Sequence, residues 1–228
     1  MKFEIKEFKD WGLYALAGAI IIFSVIFLFA AKNFSNQGTY VEVKGLSEKI
    51  VKADTAIWTL NFEVKSNDID SLYSQIEKDT NIIKTFLKDK GFEDSEINVA
   101  PINIYQNTYK DAMFRYDSDI QLSVYTNKVD LVKSSSQDTL LLIKDGVALN
   151  QNNIDFEFSD INSIKPEMLT EAISKAEVSA NQFVEDSGSK ISKISRGDQG
   201  VISIEDKDPG SPEYKKIRLV STLRFLLK

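Results

Sequence analysis

The sequence predicts an α+β protein: an N-terminal transmembrane helix followed by a body of mainly antiparallel sheet with helices on one face. Three observations support this fold class. Residues 12–31 form a run of twenty residues without a charge. Behind it, segments with an apolar residue at every second position alternate with segments whose apolar residues recur every three or four positions, as in strands and helices. Short polar segments with Gly, Asp or Pro separate them.

The uncharged run, GLYALAGAIIIFSVIFLFAA, is long enough to cross a bilayer. A helix rises about 1.5 Å per residue and the hydrocarbon layer is about 30 Å thick. A cleaved signal peptide has a shorter apolar core and a small-x-small cleavage site, whereas this run ends in Phe29-Ala30-Ala31. We therefore expect an uncleaved anchor that contacts the lipid bilayer through residues 12–31.

Lysines near the run predict its orientation. Lys2, Lys6 and Lys9 precede it, and Lys32 and Lys44 follow it. Because lysine and arginine are enriched on the cytoplasmic side of a span, this small excess favours a cytoplasmic tail over residues 1–11. A linker over 32–38 and an extracytoplasmic domain over 39–228 would follow.

Composition excludes several classes of function. The chain has no cysteine and no histidine, which rules out disulfides, thiolate chemistry, Ser-His-Asp triads and zinc sites that need either residue. Its net charge of −6 argues against binding nucleic acid by bulk electrostatics. We expect no cofactor, because no glycine-rich phosphate-binding or dinucleotide-binding motif occurs.

The first half of the body predicts a strand over 39–45 and then a β-α-β-β unit. Trp58, Leu60, Phe62 and Val64 alternate with polar residues and predict a strand with one buried face. A helix is predicted near Asp70–Lys90, ended by Gly91. Two strands are expected after it, over Ile97–Tyr109 and Phe114–Thr126.

The second half repeats this order after a middle helix that begins near Lys128, capped by Asn127, and ends before Gly146. A strand with Ile154, Phe156 and Phe158 inward comes next. A long helix is predicted to open with Pro166 in its first turn and to end at Gly188. Its expected apolar stripe is Leu169, Ile173, Ala176, Ala180 and Phe183. Strands over 192–205 and 214–227 complete two β-α-β-β units, which suggest an internal duplication.

Four segments, in order, resemble the SIMPL-domain family and together span nearly the whole body. They are VEVKGLSEKIVKADTAIWTLNFEV (41–64), FLKDKGFEDSEINV (86–99), YDSDIQLSVYTNKVDLV (116–132) and DFEFSDINSIKPEMLTEAISKAEVSANQFVEDSGSKISKI (155–194). The resemblance implies a bacterial envelope protein, often membrane-tethered or exported, with repeated β-α-β-β structure. Together with the apolar run and the lysines around it, the resemblance leads us to expect a single-pass protein of the inner membrane with a periplasmic body. Some relatives are thought to form ring- or channel-like oligomers, and the family supplies no catalytic residue to carry over.

Several acidic residues were weighed as sites, and each has a structural explanation that we prefer. Asp206, Asp208 and Glu213 alternate oxygen ligands but lack the glycine and terminal glutamate of a calcium loop. A strand places the side chains of Asp117 and Asp119 on one face about 7 Å apart, so they would need a partner across a cleft for acid-base chemistry. The remaining acids, Asp68 and Asp70, fit a helix start.

Two further groups suggest a binding or subunit surface. Tyrosines cluster around the predicted hairpin at positions 105, 109, 116 and 125, and an exposed subset could bind a partner. Arg218 and Arg224 are expected on the outward side of the last strand. We predict no catalytic, cofactor-binding or metal-binding residues.

The leading hypothesis is a membrane-tethered, non-catalytic body that self-associates or binds another envelope protein. A module that binds a small molecule, peptide or glycan is the alternative. An enzyme without histidine or cysteine is the third hypothesis, and it needs acids from different strands to converge in a cleft.

Overall fold

The computed structural model describes residues 5–35 and 39–228. In the first helix it describes the side chains of residues 11, 12 and 14–28 only. Within the described residues, five α-helices and eight strands form an α+β fold with antiparallel sheets. The helices are α1 (Ile5–Ser35), α2 (Ile69–Asp89), α3 (Val129–Gln137), α4 (Leu140–Lys144) and α5 (Ile161–Ser187). The strands are β1 (Tyr40–Lys52), β2 (Thr55–Ser66), β3 (Ile97–Val99), β4 (Asn103–Gln106), β5 (Tyr116–Thr126), β6 (Leu149–Glu157), β7 (Ile191–Asp206) and β8 (Tyr214–Leu227).

The strands form two sheets. In the five-stranded sheet, β2 pairs antiparallel with β5 on one side and with β6 on the other. The short strands β3 and β4 pair with successive parts of β5, so together they make one interrupted edge. The other sheet has three strands in the order β1-β8-β7.

The chain divides into two compact units. The larger unit comprises Leu46–Glu171 and Val201–Val220. The smaller unit comprises the residues up to Gly45, with Ala172–Gly200 and Ser221–Lys228. Four of the long elements, β1, α5, β7 and β8, contribute residues to both.

The core of the larger unit lies between the five-stranded sheet and α2. The four alternating residues predicted to point inward from β2 are at most 5% exposed, which confirms that prediction. Above them lie four buried side chains of α2, Leu72, Ile76, Ile83 and Leu87. Phe86 and Phe92 contact the edge of the Trp58 ring, with ring centroids 6.5 and 6.0 Å away. The indole N–H of Trp58 donates to Asn152 Oδ1 at 2.7 Å, so this buried ring has its polar atom satisfied.

The boundaries of α2 follow from local chemistry. Asp68 caps the helix by accepting the Ser71 backbone N–H at 2.9 Å, and Asp70 lies in its first turn. The helix stops before Gly91, whose φ of +99° is in the left-handed region that favours glycine. The structural explanation for both acids is therefore confirmed.

The predicted middle helix is two helices. α3 ends at Gln137 and α4 begins at Leu140, because the Ser134–Ser136 segment has weak helix propensity and Asp138, at φ −90° and ψ 2°, leaves the helical conformation. Asn127 is not the cap, since the helix is preceded by Lys128, whose backbone N–H donates to Thr126 Oγ1 at 3.1 Å. The single middle helix and its Asn127 cap were therefore wrong.

The predicted strand over 97–109 is also broken. Pairing with β5 stops after Val99 and resumes at Asn103. Pro101 lies in the gap, and a proline has no backbone N–H to donate to a neighbouring strand. A single long edge strand was therefore the wrong expectation.

Helix α5 begins earlier than predicted, and its buried stripe is rotated. It starts at Ile161, so Pro166 lies inside the helix rather than in its first turn. The Asp54 carboxylate accepts the backbone N–H groups of Ser159 and Asp160 at 2.9 and 3.2 Å and so holds the chain entering it. Every fourth residue is buried: Met168, Ala172, Ala176, Ala180 and Val184. Phe183, expected inside, is 66% exposed.

Small side chains let α5 approach β1 closely within the smaller unit. A Cβ atom on Gly45 would lie 1.7 Å from the carbonyl oxygen of Ala172 and 2.9 Å from the Ala176 Cβ. Val43, Leu223 and Phe225 pack with Ala176 and Ala180 around this contact. No side chain larger than hydrogen fits at position 45 unless the helix moves.

Helix α1 contains the apolar run. Among the residues that the structure describes, no helix is both long enough and apolar enough to cross a membrane. The transmembrane helix predicted over 12–31 is therefore unsupported by the structure. The helix that contains it extends to Ile5 and Ser35 and takes in charged residues at both ends. Part of the predicted linker, 36–38, lies outside the described residues.

The order of elements matches two β-α-β-β units, but their pairing differs. The first set, β2-α2-β3/β4-β5, lies in one sheet. In the second set, β6 joins that same sheet, whereas β7 and β8 pair in the three-stranded sheet. The second set therefore does not build a sheet of its own, and the internal duplication stays a prediction.

Replacing Gly45 with alanine tests the close helix-strand contact. We expect the variant to lose about 3 kcal/mol or more of its free energy of unfolding, because the new methyl group meets backbone that cannot rotate away. The measurement is the urea midpoint followed by circular dichroism. Gly197→Ala is the matched control in the same unit, since its Cβ would meet only the flexible end of Leu223 at 3.1 Å. Equal midpoints for the two variants would contradict the argument.

Candidate interaction surface

A groove lies between α2 and the interrupted β3–β4 edge of the larger unit. Its volume is about 430 Å³. Side chains spaced along one face of α2 form one wall, and three apolar residues of the sheet edge form the other, Val99, Ile102 and Ile104. The helix wall runs from Tyr73 to Lys84, about 16 Å at 1.5 Å per residue. The groove exists because α2 packs over β2 and β5 and leaves the outermost edge uncovered.

Exposed apolar side chains surround this groove. We call Ile69, Tyr73, Ile102, Ile104 and Met113 the apolar edge; their exposed fractions are 47, 64, 44, 43 and 83%. Three of them line the groove itself, and Ile69 lies one helical turn before Tyr73. Met113 is held nearby, since its carbonyl accepts the Asn67 side-chain amide at 3.4 Å. Exposed apolar side chains gathered beside a groove are typical of protein contact sites.

Polar groups in the groove have no partner among the described residues. The Thr80 hydroxyl is buried and makes no hydrogen bond. Glu77 and Lys84 lie on the groove wall two helical turns apart, and neither forms an ion pair with a described residue. A buried hydroxyl without a partner costs free energy, and this one is enclosed beneath the groove wall.

A second, larger groove lies on the other side of α2, against α4. Its volume is about 790 Å³, and its walls carry more charge. Lys90, one of four charged residues that line it, already has partners: it pairs with Asp138 at 2.6 Å and lies 5.5 Å from the Phe86 ring centre. We therefore give it less weight than the first groove.

The residues weighed as a calcium loop separate in the structure. Asp206 pairs with Lys215, and Asp208 accepts the Gly210 backbone N–H at 2.9 Å. Glu213 instead points inward. It is 5% exposed, its Oε1 accepts from Lys133 Nζ at 2.5 Å, and its Oε2 has no partner. Within the described part of the chain, no three acidic side chains are placed to hold a metal ion.

Burial and pairing act in opposite directions on Glu213. Burial is the largest single influence and disfavours the charged carboxylate, but the hydrogen bond from Lys133, a backbone hydrogen bond and the positive charge of Lys133 together outweigh it, so the pKa of Glu213 is lowered. The carboxylate therefore stays ionised and holds α3 beside the β7–β8 turn. No sequence pattern predicts that Glu213 is buried, because position 213 follows a Pro-Gly-Ser-Pro segment typical of an exposed turn.

The paired aspartates of β5 do not face a cleft. Asp117 accepts the Asn107 side-chain amide at 3.2 Å, and it lies opposite Lys65 of β2. Asp119 is exposed and lies opposite Glu63. Their position on the polar face of the sheet agrees with the structural explanation for them.

The tyrosines are divided. Tyr105 and Tyr125 are 56 and 61% exposed but lie near opposite ends of β5, about 26 Å apart at 3.3 Å per residue. Tyr109 is 81% exposed in the following loop, whereas Tyr116 packs against the core. They do not form one surface.

Both arginines of β8 have partners within the chain. Arg218 lies 3.7 Å from Glu48. Arg224 pairs with Glu42 at 2.9 Å and lies 4.1 Å from the Tyr40 ring centre.

The sequence reasoning missed the groove, although one signal was present. Ile102 and Ile104 sit two residues apart in a segment with few other apolar residues, which is typical of a strand face. The alternation does not reveal that α2 packs over β2 and β5 and leaves these two isoleucines uncovered.

Comparison with protein families identifies the fold family. The sequence profile of SIMPL, described as a protein of unknown function (DUF541), matches residues 41–219. The chain belongs to the SIMPL family. This confirms the resemblance noted in the sequence, and it assigns no activity. No curated protein matches the SIMPL chain.

Solved structures similar to this SIMPL protein give only weak matches. A hydrolase from Listeria innocua is 12% identical, with 80% of this chain and 92% of that chain covered and a TM-score of 0.25. The EcmrR C-terminal domain is 10% identical, with coverages of 81% and 98% and a TM-score of 0.19. An uncharacterized conserved protein from Listeria innocua is 12% identical, with coverages of 80% and 92% and a TM-score of 0.20. At these scores they carry no argument about function.

The Lys133–Glu213 pair predicts a pH-dependent stability. Because the pKa of Glu213 is lowered, its contribution to stability is present above the ordinary glutamate pKa and is lost as the pH falls through the lowered value. Lys133→Met leaves the carboxylate buried without a partner. We expect a loss of about 1–2 kcal/mol at pH 7, less than for a fully buried pair because the Lys133 side chain is 43% exposed.

Urea unfolding at pH 7 and pH 4 measures this effect. The loss should shrink at pH 4, where the unpaired carboxyl is protonated. The double variant Lys133→Met/Glu213→Gln is the control and should regain much of the stability at pH 7. A loss that is equal at both pH values would show that the ionised pair contributes nothing.

Proposed function

We propose that this SIMPL protein is a non-catalytic envelope protein whose body binds protein, either a second copy of itself or another envelope protein. The observation that carries the proposal is the apolar edge, five large side chains that are between 43 and 83% exposed, three of which line one groove. Water-exposed apolar surface is stabilised when a partner covers it. Asp117 and Asp119, the pair considered for acid-base chemistry, lie on the polar face of the sheet opposite Lys65 and Glu63.

We further propose that the N-terminal segment holds the body at the inner membrane, with the body on the periplasmic side. Support comes from the sequence, in which residues 12–31 have no charge, and from the exposure of the apolar side chains described in α1. Trp11, Phe23 and Leu28 are 81, 69 and 67% exposed. Side chains of this kind are stable when lipid surrounds them.

Photo-crosslinking in native membranes tests the protein-binding function. A photoreactive amino acid at position 104 should give crosslinked species, either a dimer of this chain or an adduct with another envelope protein. The same amino acid at position 125, where the tyrosine is 61% exposed on the opposite face of the sheet, is the matched control. Absence of any crosslink at position 104, or equal crosslinking at both positions, would contradict a role for the apolar edge.

Alkaline extraction of membranes tests the attachment. We expect the wild-type chain to stay in the membrane pellet. A variant with Ile21→Asp and Ile22→Asp should move to the soluble fraction, because each charge placed in the middle of the run costs about 3 kcal/mol to bury in lipid. Release of the wild-type chain would rule out the proposed attachment. Protease added to spheroplasts checks the side, since a periplasmic body should be digested.

A further inference from the structure

We propose that the groove beside α2 binds an extended segment of the partner, which adds as a β-strand to the free edge of β4. This inference rests on the proposed protein-binding function and names the part of the partner that is recognised. It requires a free backbone edge, a matching side-chain layer and complementary charge.

The backbone edge is free. β4 pairs with β5 on one side only, and none of its four residues is buried. Among the described residues, none hydrogen-bonds to the outer side of β4. Such an edge presents N–H and C=O groups that only another extended backbone can pair with. Pro101 limits the pairing surface at one end, since it has no N–H to offer.

The side-chain layer matches a strand and not a helix. Ile102 and Ile104 lie two residues apart and both line the groove, so they repeat with the period of a strand, about 7 Å. A strand added beside them places every second side chain in the same layer. The helix wall of about 16 Å is long enough for about five extended residues at 3.3 Å each. The unpartnered, buried Thr80 hydroxyl lies within this length.

Charge gives the added strand a direction. β5 pairs antiparallel with both β2 and β4, so β2 and β4 run in the same direction. α2 follows β2 after a short turn and packs back over it, so α2 runs opposite to β4. Glu77 therefore lies near the carboxyl end of β4, and Lys84 lies near Val99. A segment that runs antiparallel to β4 complements both if it begins with a basic residue and ends with an acidic one. Antiparallel pairing is also the slightly more stable arrangement.

Two blocked, labelled heptapeptides probe this arrangement on the full chain in mild detergent. Lys-Ser-Val-Ser-Val-Ser-Glu has its charged and apolar side chains on one face, and Glu-Ser-Val-Ser-Val-Ser-Lys has the charges exchanged. By fluorescence anisotropy we expect the first to bind about three- to tenfold more tightly, the range for partly exposed ion pairs. In the variant Glu77→Lys/Lys84→Glu the preference should reverse.

N-methylation separates strand addition from simple apolar docking. Methyl groups on the amides of residues 3 and 5 block one edge of the peptide, and those on residues 2, 4 and 6 block the other. Only one edge faces β4, so one methylated set should lose binding at least tenfold and the other should not. Equal losses from both sets, or from neither, would overturn the proposal.

Protein variants localise the site. Ile104→Ser should weaken binding of the first heptapeptide about tenfold, whereas Ile143→Ser, at an isoleucine of α4 that is 59% exposed, should not. Binding that is unaffected by Ile104→Ser, or no binding at millimolar peptide, would also refute strand addition. If crosslinks still form at position 104 in that case, the protein-binding function stands without it; if neither is seen, both fail.

Discussion

The packing of α2 onto the two central strands of the larger unit determines what the rest of that unit can do. β2 is paired on both sides, and its inward residues Trp58, Leu60 and Phe62 are buried beneath the helix. The apolar area removed from water here anchors α2 over β2 and β5. A helix about 10 Å wide cannot also cover the outermost strand. The uncovered β3–β4 edge, and therefore the groove, is a consequence of the same contact that stabilises the core.

The contrast between two glycine-dependent features shows how backbone requirements constrain this fold. Gly91 ends α2 because its φ of +99° suits a residue without a side chain, and the sequence pattern alone predicted that stop. Gly45 has an ordinary strand conformation. No side chain fits there because the carbonyl oxygen of Ala172 would lie 1.7 Å from its Cβ atom. A local rule therefore predicts the first glycine. The second requires knowledge of which helix lies over which strand.

The same distinction explains which sequence predictions succeeded. The buried face of β2 follows from alternation and was predicted correctly, as Trp58 and Leu60 at 0% exposure illustrate. The stripe of α5 was misassigned because the sequence offers both Ile173 and Ala172 to the core. Burial of the smaller residue reflects the close approach of β1, which is a tertiary property. The pairing of Lys133 with Glu213 joins positions eighty residues apart and left no local pattern.

An exposed apolar strand edge promotes aggregation, so its presence in this protein calls for an explanation. Strand edges are commonly protected by charge or proline, and this edge has one such device in Pro101. Beyond Pro101 the edge has no such protection: β4 exposes Ile104. On the facing helix wall lie Glu77 and Lys84, which form no ion pair with a described residue. An edge that merely needed to avoid aggregation would extend the proline's effect along β4. One that leaves the outer side of a four-residue strand free, bounded by a stop and by opposite charges, limits pairing to a short segment of one direction, which is the requirement for selective recognition of a partner strand.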